Sequence, residues 1–229
     1  MHNEEKTAVR CIDEVIKNIS TLSIKVKLVV INDGSSDGTS RILKEKSIIY
    51  KKYLDILTHK KNKGYGAATQ TGISYALENN FSWCLHMDSD LTNDPKYIKH
   101  FVAEMSSNYD CIKASRYVSN GKVENVSFIR QLISTLGNSL ASFLFGVGIK
   151  DCTNGFRMVK TEVLKSIIFK ENNFSIILEE LYYLKRKGAR FKEIPYTLTA
   201  RKNSQSHFRY TLGIFKDYFK YAFKALFLI

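Results

Sequence analysis

Short apolar runs alternate with stretches of helical periodicity along almost the whole chain, and this alternation restricts the fold to a sheet layered with helices. Residues 8–20 read as a helix, 26–31 (VKLVVI) as a buried strand and 54–58 as a short strand. A helix over 66–79 and a strand over 81–87 (FSWCLHM) follow. Asp94-Pro95 then opens a helix with proline at its first position. Residues 109–115 (YDCIKAS) form the next strand, 127–145 a long helix and 155–160 a short strand. A helix over 175–187 is ended by Gly188, a strand covers 190–199, and the last 22 residues read as an apolar helix studded with lysines. The order predicts an α/β fold with a mainly parallel sheet. One departure stands at the start, where HNEE leads directly into a helix and no strand comes before it.

With 229 residues, 44% of them hydrophobic, and only two prolines, the chain can build one sizeable core. Disorder, a collagen-like repeat and a disulfide scaffold are excluded. The expected division is one domain over 1–207 and a basic amphipathic helix over 208–229. The net charge is +13, and residues 185–229 carry eleven Lys/Arg against two Asp/Glu. Such a tail suits nucleic acid, anionic lipid or a phosphate-bearing substrate. No nucleic-acid motif is present, so phosphate is the better explanation. Cys11, Cys84, Cys111 and Cys152 are scattered without metal spacing, which fits free thiols in a reducing cytosol. Residues 131–149 are uncharged for 19 positions but rich in Ser, Thr, Asn and Gly, too polar for a membrane span. A cytoplasmic protein, soluble or peripheral on a membrane face, is expected.

Two loops carry the chemistry. INDGSSDGTS (31–40) follows a strand, where open α/β folds place ligands, and offers carboxylates, amides and glycines to a nucleoside. As a plain strand–helix turn, it would use Asp37 or Thr39 as a cap. HMDSDLTNDP (86–95) follows another strand. Asp88 and Asp90 are two apart, so in extended backbone both carboxylates project to one side, which suits Mg²⁺ or Mn²⁺ shared with substrate phosphates. Asp94 reads as a helix cap, His86 as a packing residue, and Glu180 as part of a solvated helix face.

In this order, HNEE (2–5), NDGSSDGT (32–39), NKGYGAATQTG (62–72), DSD (88–90), ASRY (114–117), DCTNGFR (151–157) and EIP (193–195) with RKNSQSH (201–207) resemble the family 2 glycosyltransferases of GT-A fold. The likeness is greatest to the dolichyl-phosphate mannose and polyprenyl-phosphate sugar synthases. It implies a Rossmann-like sheet flanked by helices, lacking its first strand here, and an inverting hexosyltransferase. Glu4 and Asp33 would hold the nucleoside of a nucleotide-sugar donor. Asp88 and Asp90 would bind Mg²⁺ or Mn²⁺, and Arg116 and Arg201, with Ser206, would meet phosphate. Thr92 stands where the subgroup has Gln, Ser204 where it has Gly, and His207 where it has Lys.

The acceptor decides what else is needed. A polyprenyl phosphate is already anionic near neutral pH and requires no base, whereas a glycan hydroxyl does. Asp151 and Glu179 are the candidate bases. The helical spacing of Lys216, Lys220 and Lys224 beside Phe215, Phe219, Phe223 and Phe227 suits an anionic membrane surface. It suits docking on the domain equally. A transferase to a glycan hydroxyl and a non-catalytic sugar-nucleotide-binding module remain as alternatives.

Overall fold

The computed structural model describes residues 1–199 and 212–227, and for 212–218 the backbone alone. Helix α1 (Glu5–Ile19) buries Ala8, Cys11, Ile12, Val15, Ile16 and Ile19, a stripe at helical spacing. The branched run Leu28–Asp33 forms β1, which pairs in parallel with β2 (Leu54–His59), Leu28 opposite Leu54. Between them lies α2 (Thr39–Ile49), which the sequence pattern did not reveal. Only Thr39, Ile42 and Leu43 of that helix are buried, and Ile48 and Ile49 face outward, so its apolar residues follow no clear face.

Helix α3 (Tyr65–Glu78) leads to β3 (Trp83–His86). Asp94 caps the next turn by accepting the Lys96 N–H at 2.9 Å, and a 3₁₀ turn at Pro95–Tyr97 runs into α4 (Ile98–Ala103). Beyond them come β4 (Cys111–Ser115), β5 (Lys122–Glu124), α5 (Phe128–Phe145), β6 (Arg157–Lys160), α6 (Thr161–Leu164), α7 (Ile176–Arg186), β7 (Phe191–Pro195), β8 (Thr197–Thr199) and α8 (Leu212–Leu226). The second sheet has the order β3-β6-β4-β7, with β6 antiparallel to both neighbours and β4 parallel to β7. The sheet system is therefore mixed.

The expected strand over 190–199 is two strands in two sheets. Tyr196 separates them: its N–H donates to Ser115 O and its carbonyl accepts the Lys122 N–H, so the chain passes from β4 to β5. The Tyr196 ring is buried against Phe156 and Tyr97, which fixes the crossing point.

Helix α5 buries Asn138, Ala141, Leu144 and Phe145. The last three pack with Leu178 and Leu181 of α7 and with Tyr221, Ala222 and Ala225 of α8. Its other face leaves Phe128, Ile129, Leu136 and Phe143 more than 60% exposed. Among the described residues no helix is long and apolar enough to cross a membrane. All four cysteines are free thiols.

Asp110, just before β4, accepts from Lys160 Nζ and the Arg190 N–H, each at 2.9 Å. Burial works against its charge, but these bonds outweigh burial and hold its pKa at about 2. A depressed carboxyl stabilises the native state above its unfolded value of ~3.9 and loses that contribution as pH falls toward 2. Asp110→Asn should therefore cost roughly 2 kcal/mol at pH 7. Denaturant titrations should show the gap to the unaltered protein shrinking as pH falls from about 4 to about 2.

Candidate active site

Asp33 closes β1 with its carboxylate buried at the strand's C-terminal end. One oxygen meets His59 Nδ1 at 2.6 Å and the Lys63 N–H at 2.9 Å, and the other accepts the Gly64 N–H at 2.9 Å. Burial disfavours its charge, yet these donors prevail and keep the carboxyl below its ordinary value. Asp33 thus ties together the ends of both strands and the loop entering α3. Gly34, at φ +65, lies where a Cβ would come within 2.3 Å of the Lys61 backbone. Glu4 begins α1, its carboxylate accepting the Thr7 hydroxyl at 2.5 Å and its N–H donating to Thr39 Oγ1 at 2.9 Å.

Asp88 and Asp90 lie just past the end of β3. The Asp88 N–H donates to Asn93 Oδ1 at 2.7 Å. Asp90 Oδ1 accepts the Thr92 N–H at 2.9 Å and the Thr92 hydroxyl at 2.6 Å, closing a tight turn around Leu91 at φ +61. Tyr196 braces this turn through its hydroxyl, which donates to Thr92 O and lies 3.4 Å from Asn93 Nδ2. Among the described residues no three His, Cys, Asp or Glu side chains gather as a metal site. A cation held by the Asp88–Asp90 pair would take its other oxygen ligands from substrate and water, as Mg²⁺ and Mn²⁺ do beside phosphates.

Arg116 follows β4. Its Nε and Nη2 grip Asp151 at 2.7 and 2.8 Å, and its own N–H meets the same carboxylate at 3.0 Å. Asp151 is fully buried and is held in turn by the loop geometry that Glu193 sets, accepting the Lys150 and Asp151 N–H groups at 2.8 Å each. Burial opposes the Arg116 charge, but Asp151 more than offsets it and raises its pKa.

Glu180 corrects the picture of a solvated helix face, and Glu179 is buried beside it, because α7 buries Ile176–Leu181 without interruption. Glu180 forms a two-pronged pair with Arg157. Glu179 accepts the Lys170 and Glu171 N–H groups at 3.0 and 2.9 Å and the Tyr221 hydroxyl at 3.0 Å. It clamps the loop that crosses α3, where Gly66 donates its N–H to Asn172 O at 2.7 Å and a Cβ would meet Glu171 O at 2.3 Å. The Nε2 atom of His86 is buried with no hydrogen bond, and desolvation, helped by the Arg157 charge, pushes the pKa of His86 down to about 3. It is a neutral packing residue, as expected.

Glu4, Asp33, Asp88, Asp90 and Arg116 all line one cavity of about 1750 Å³. Asp151 and Glu179 are not among its lining residues, and Arg201 and Ser206 fall outside the described residues. Residues 1–168 match the model of the glycosyl transferase family 2 domain. The chain belongs to glycosyl transferase family 2. This glycosyltransferase is 28% identical over 181 residues to polyprenol monophosphomannose synthase of Mycolicibacterium smegmatis, covering 78% of this chain and 68% of that protein. It is 28% identical over 228 residues to an uncharacterised protein of Methanocaldococcus jannaschii, covering 98% and 89%. Glucosyl-3-phosphoglycerate synthase of Mycobacterium tuberculosis, solved with Mn²⁺, UDP and phosphoglyceric acid, superposes with a TM-score of 0.68 at 17% identity, covering 100% of this chain and 77% of that one. The GT-A fold that the motifs implied is the fold observed.

Several supporting residues of this glycosyltransferase escaped the sequence reading. His59 stands behind Asp33, Asn93 and Tyr196 behind the acidic turn, and Glu193 behind Asp151. Each is a single polar residue at a strand end or in a turn, and only the fold joins it to its partner. Asn93, in the same loop as the acidic pair, was the one with a local signal.

Removing Asp151 alone would strand the Arg116 charge, so Asp151→Ala should cost about 3–5 kcal/mol. Pairing it with Arg116→Met should recover most of that stability in denaturant titrations. Donor binding should stay impaired in the double variant.

Proposed function

We propose that this glycosyltransferase moves a sugar from a nucleotide-sugar donor to a polyprenyl phosphate, with Mg²⁺ or Mn²⁺ at Asp88 and Asp90. The observation that carries this reading is that Asp33, the Asp88–Asp90 pair and Arg116 share one cavity. Asp33 and Glu4 sit on the nucleoside side, at the ends of β1 and α1. Arg116, oriented by Asp151, presents a cation toward the diphosphate; Nη1 has no hydrogen bond to the described residues. A bound divalent cation supplies electrostatic stabilisation of the departing diphosphate. Arg116 contributes in the same sense, and charge placed in advance at a developing anion is worth most in a site that excludes water.

The choice of acceptor rests on where the carboxylates are spent. Asp151 is occupied by Arg116, and Glu179 by two backbone N–H groups and a tyrosine hydroxyl. Neither stands ready to take a proton from a sugar hydroxyl. An acceptor phosphate with a second pKa near ~6 is already charged and needs no such base. Asp151 is then a positioning residue for Arg116, and Glu179 one for the 170–171 loop. The similarity to polyprenol monophosphomannose synthase supports the same class of acceptor.

A lipid acceptor also suits the outer surface. Helix α5 exposes Phe128, Ile129, Leu132, Leu136 and Phe143, and α8 adds Phe219, Phe223 and Phe227. Lys224 lies on the same helix as that phenylalanine row. Helices of this kind lie in the membrane interface without crossing it. Peripheral attachment to a cytoplasmic membrane face follows.

The test is a transfer assay with UDP-, GDP- and dTDP-sugars, Mn²⁺ and either polyprenyl phosphate or a soluble glycan. Sugar should pass to the lipid fraction, and Asp88→Ala or Asp90→Ala should lower turnover at least ~100-fold, equivalent to about 2.7 kcal/mol of barrier, with the melting temperature retained. In flotation assays the protein should rise with anionic vesicles at low salt. Transfer to the glycan alone would move the reading to a hydroxyl acceptor.

A further inference from the structure

Asn138 is buried on α5 in company with Ala141, Leu144 and Phe145. A buried amide is costly unless its groups are paired, and here the partners also fix its orientation. Its Oδ1 accepts the Thr153 N–H at 3.0 Å, and its Nδ2 donates to Ser134 O at 2.9 Å. A backbone N–H only donates and a carbonyl only accepts, so the two ends of the amide cannot be exchanged. The same Nδ2 lies 3.0 Å from Thr153 Oγ1 and gives its second hydrogen there. Arg116 Nη2 approaches that oxygen at 3.3 Å, and a guanidinium carries donors alone. Thr153 Oγ1 therefore receives two hydrogens, one for each of its lone pairs. Its own hydrogen must leave in the remaining direction, and among the described residues no acceptor takes it. Thr153 lines the large cavity, as Arg116 does.

We propose that the Thr153 hydroxyl is a substrate-binding donor that joins Arg116 in holding one phosphate oxygen. This role rests on the sugar transfer proposed above and adds a neutral donor to its charged ones. Two observations specify the ligand. A hydroxyl whose lone pairs are both taken can only donate, so its partner is an acceptor. The partner also lies next to a guanidinium, where an anionic oxygen gains more than a neutral one. The diphosphate of the sugar donor and the monophosphate of the acceptor both present such an oxygen. Asn138 is then a positioning residue, since it turns the hydroxyl toward the cavity before substrate arrives. A group oriented in advance loses little freedom on binding. The helix that exposes Phe128, Ile129 and Phe143 on its outer face thus also aims a phosphate ligand from its inner one.

The test compares Thr153→Val, Thr153→Ala and Thr153→Ser in the full chain by calorimetry. One arm titrates UDP and GDP with Mn²⁺. The other titrates farnesyl phosphate, a short polyprenyl phosphate, with the bound nucleotide and Mn²⁺ present. The valine and alanine variants should bind at least one of these ligands roughly 10-fold more weakly, the loss of one hydrogen bond to a charged group. Serine should stay close to the unaltered protein. Serine and alanine differ by the hydroxyl alone, so that comparison stands even if the valine variant does not fold. Weakening of the nucleotide assigns the hydroxyl to the diphosphate, and weakening of farnesyl phosphate assigns it to the acceptor. The NMR resonance of the Arg116 Nε–H, set by its bond to Asp151, should keep its place in the alanine variant. Unchanged affinity for both ligands in the alanine variant would overturn the proposal, as would a serine variant as weak as alanine. A displaced Arg116 resonance accompanying the lost affinity would overturn it too, because Thr153 would then act only by positioning the arginine. The nucleotide arm needs no lipid, so failure to transfer sugar to polyprenyl phosphate defeats the acceptor reading separately.

Discussion

The buried pair between Arg157 and Glu180 holds the rest of the molecule in place. Both side chains are about 1% exposed. Arg157 lies on β6, between β3 and β4, and Glu180 lies on α7, so the pair bolts the central strand to the helix behind it. An isolated charge in that position would cost several kcal/mol, and the two-pronged geometry with Gly155 O as a further acceptor is what makes it tolerable. From this bolt the helix presents Glu179 one residue earlier to the 170–171 loop, and that loop runs on to lie against Gly64 and Gly66 at the start of α3. Tyr221 of α8 joins the same network through Glu179 and Glu171. One ion pair therefore sets the position of α3, α7 and α8 together.

The same logic divides the carboxylates into two kinds. Glu179, Glu180, Glu193 and Asp151 face inward and are satisfied by arginine, backbone N–H groups or tyrosine. Asp88 and Asp90 stand at the cavity, past the end of a strand, and among the described residues no third His, Cys, Asp or Glu gathers with them as a metal group. The inward group builds the walls and aims Arg116. On the proposed reading, the pair at the cavity takes the cation and the phosphate-bearing substrate.

Much of this was legible in the sequence, for physical reasons. Strands buried on one or both faces leave apolar runs, and α1, α3 and α5 show their faces or their caps, so their positions could be read. The acidic turn could be read because both of its carboxylates lie in one short segment. What could not be read depends on long-range pairing. Glu180 looks like a surface residue until Arg157, 23 positions away, is brought to it. Asp151 reads as a candidate base in the sequence, which gives no sign that Arg116, 35 positions away, meets both its oxygens. The 190–199 segment looks like one strand because its apolar pattern continues through Tyr196, where the backbone changes partner. Helix α2 was hidden for the opposite reason: it buries too little to leave a face.

We propose that Asp88, Asp90 and Arg116 together hold a metal-bound nucleoside diphosphate. The most direct measurement is anomalous diffraction from crystals grown with Mn²⁺ and a nucleoside diphosphate. A single manganese peak is expected at the Asp88–Asp90 turn, with diphosphate oxygens completing its shell and meeting the Arg116 guanidinium. Nucleotide bound away from these residues, or diphosphate bound there equally well in the Asp88→Ala and Asp90→Ala variants, would contradict it.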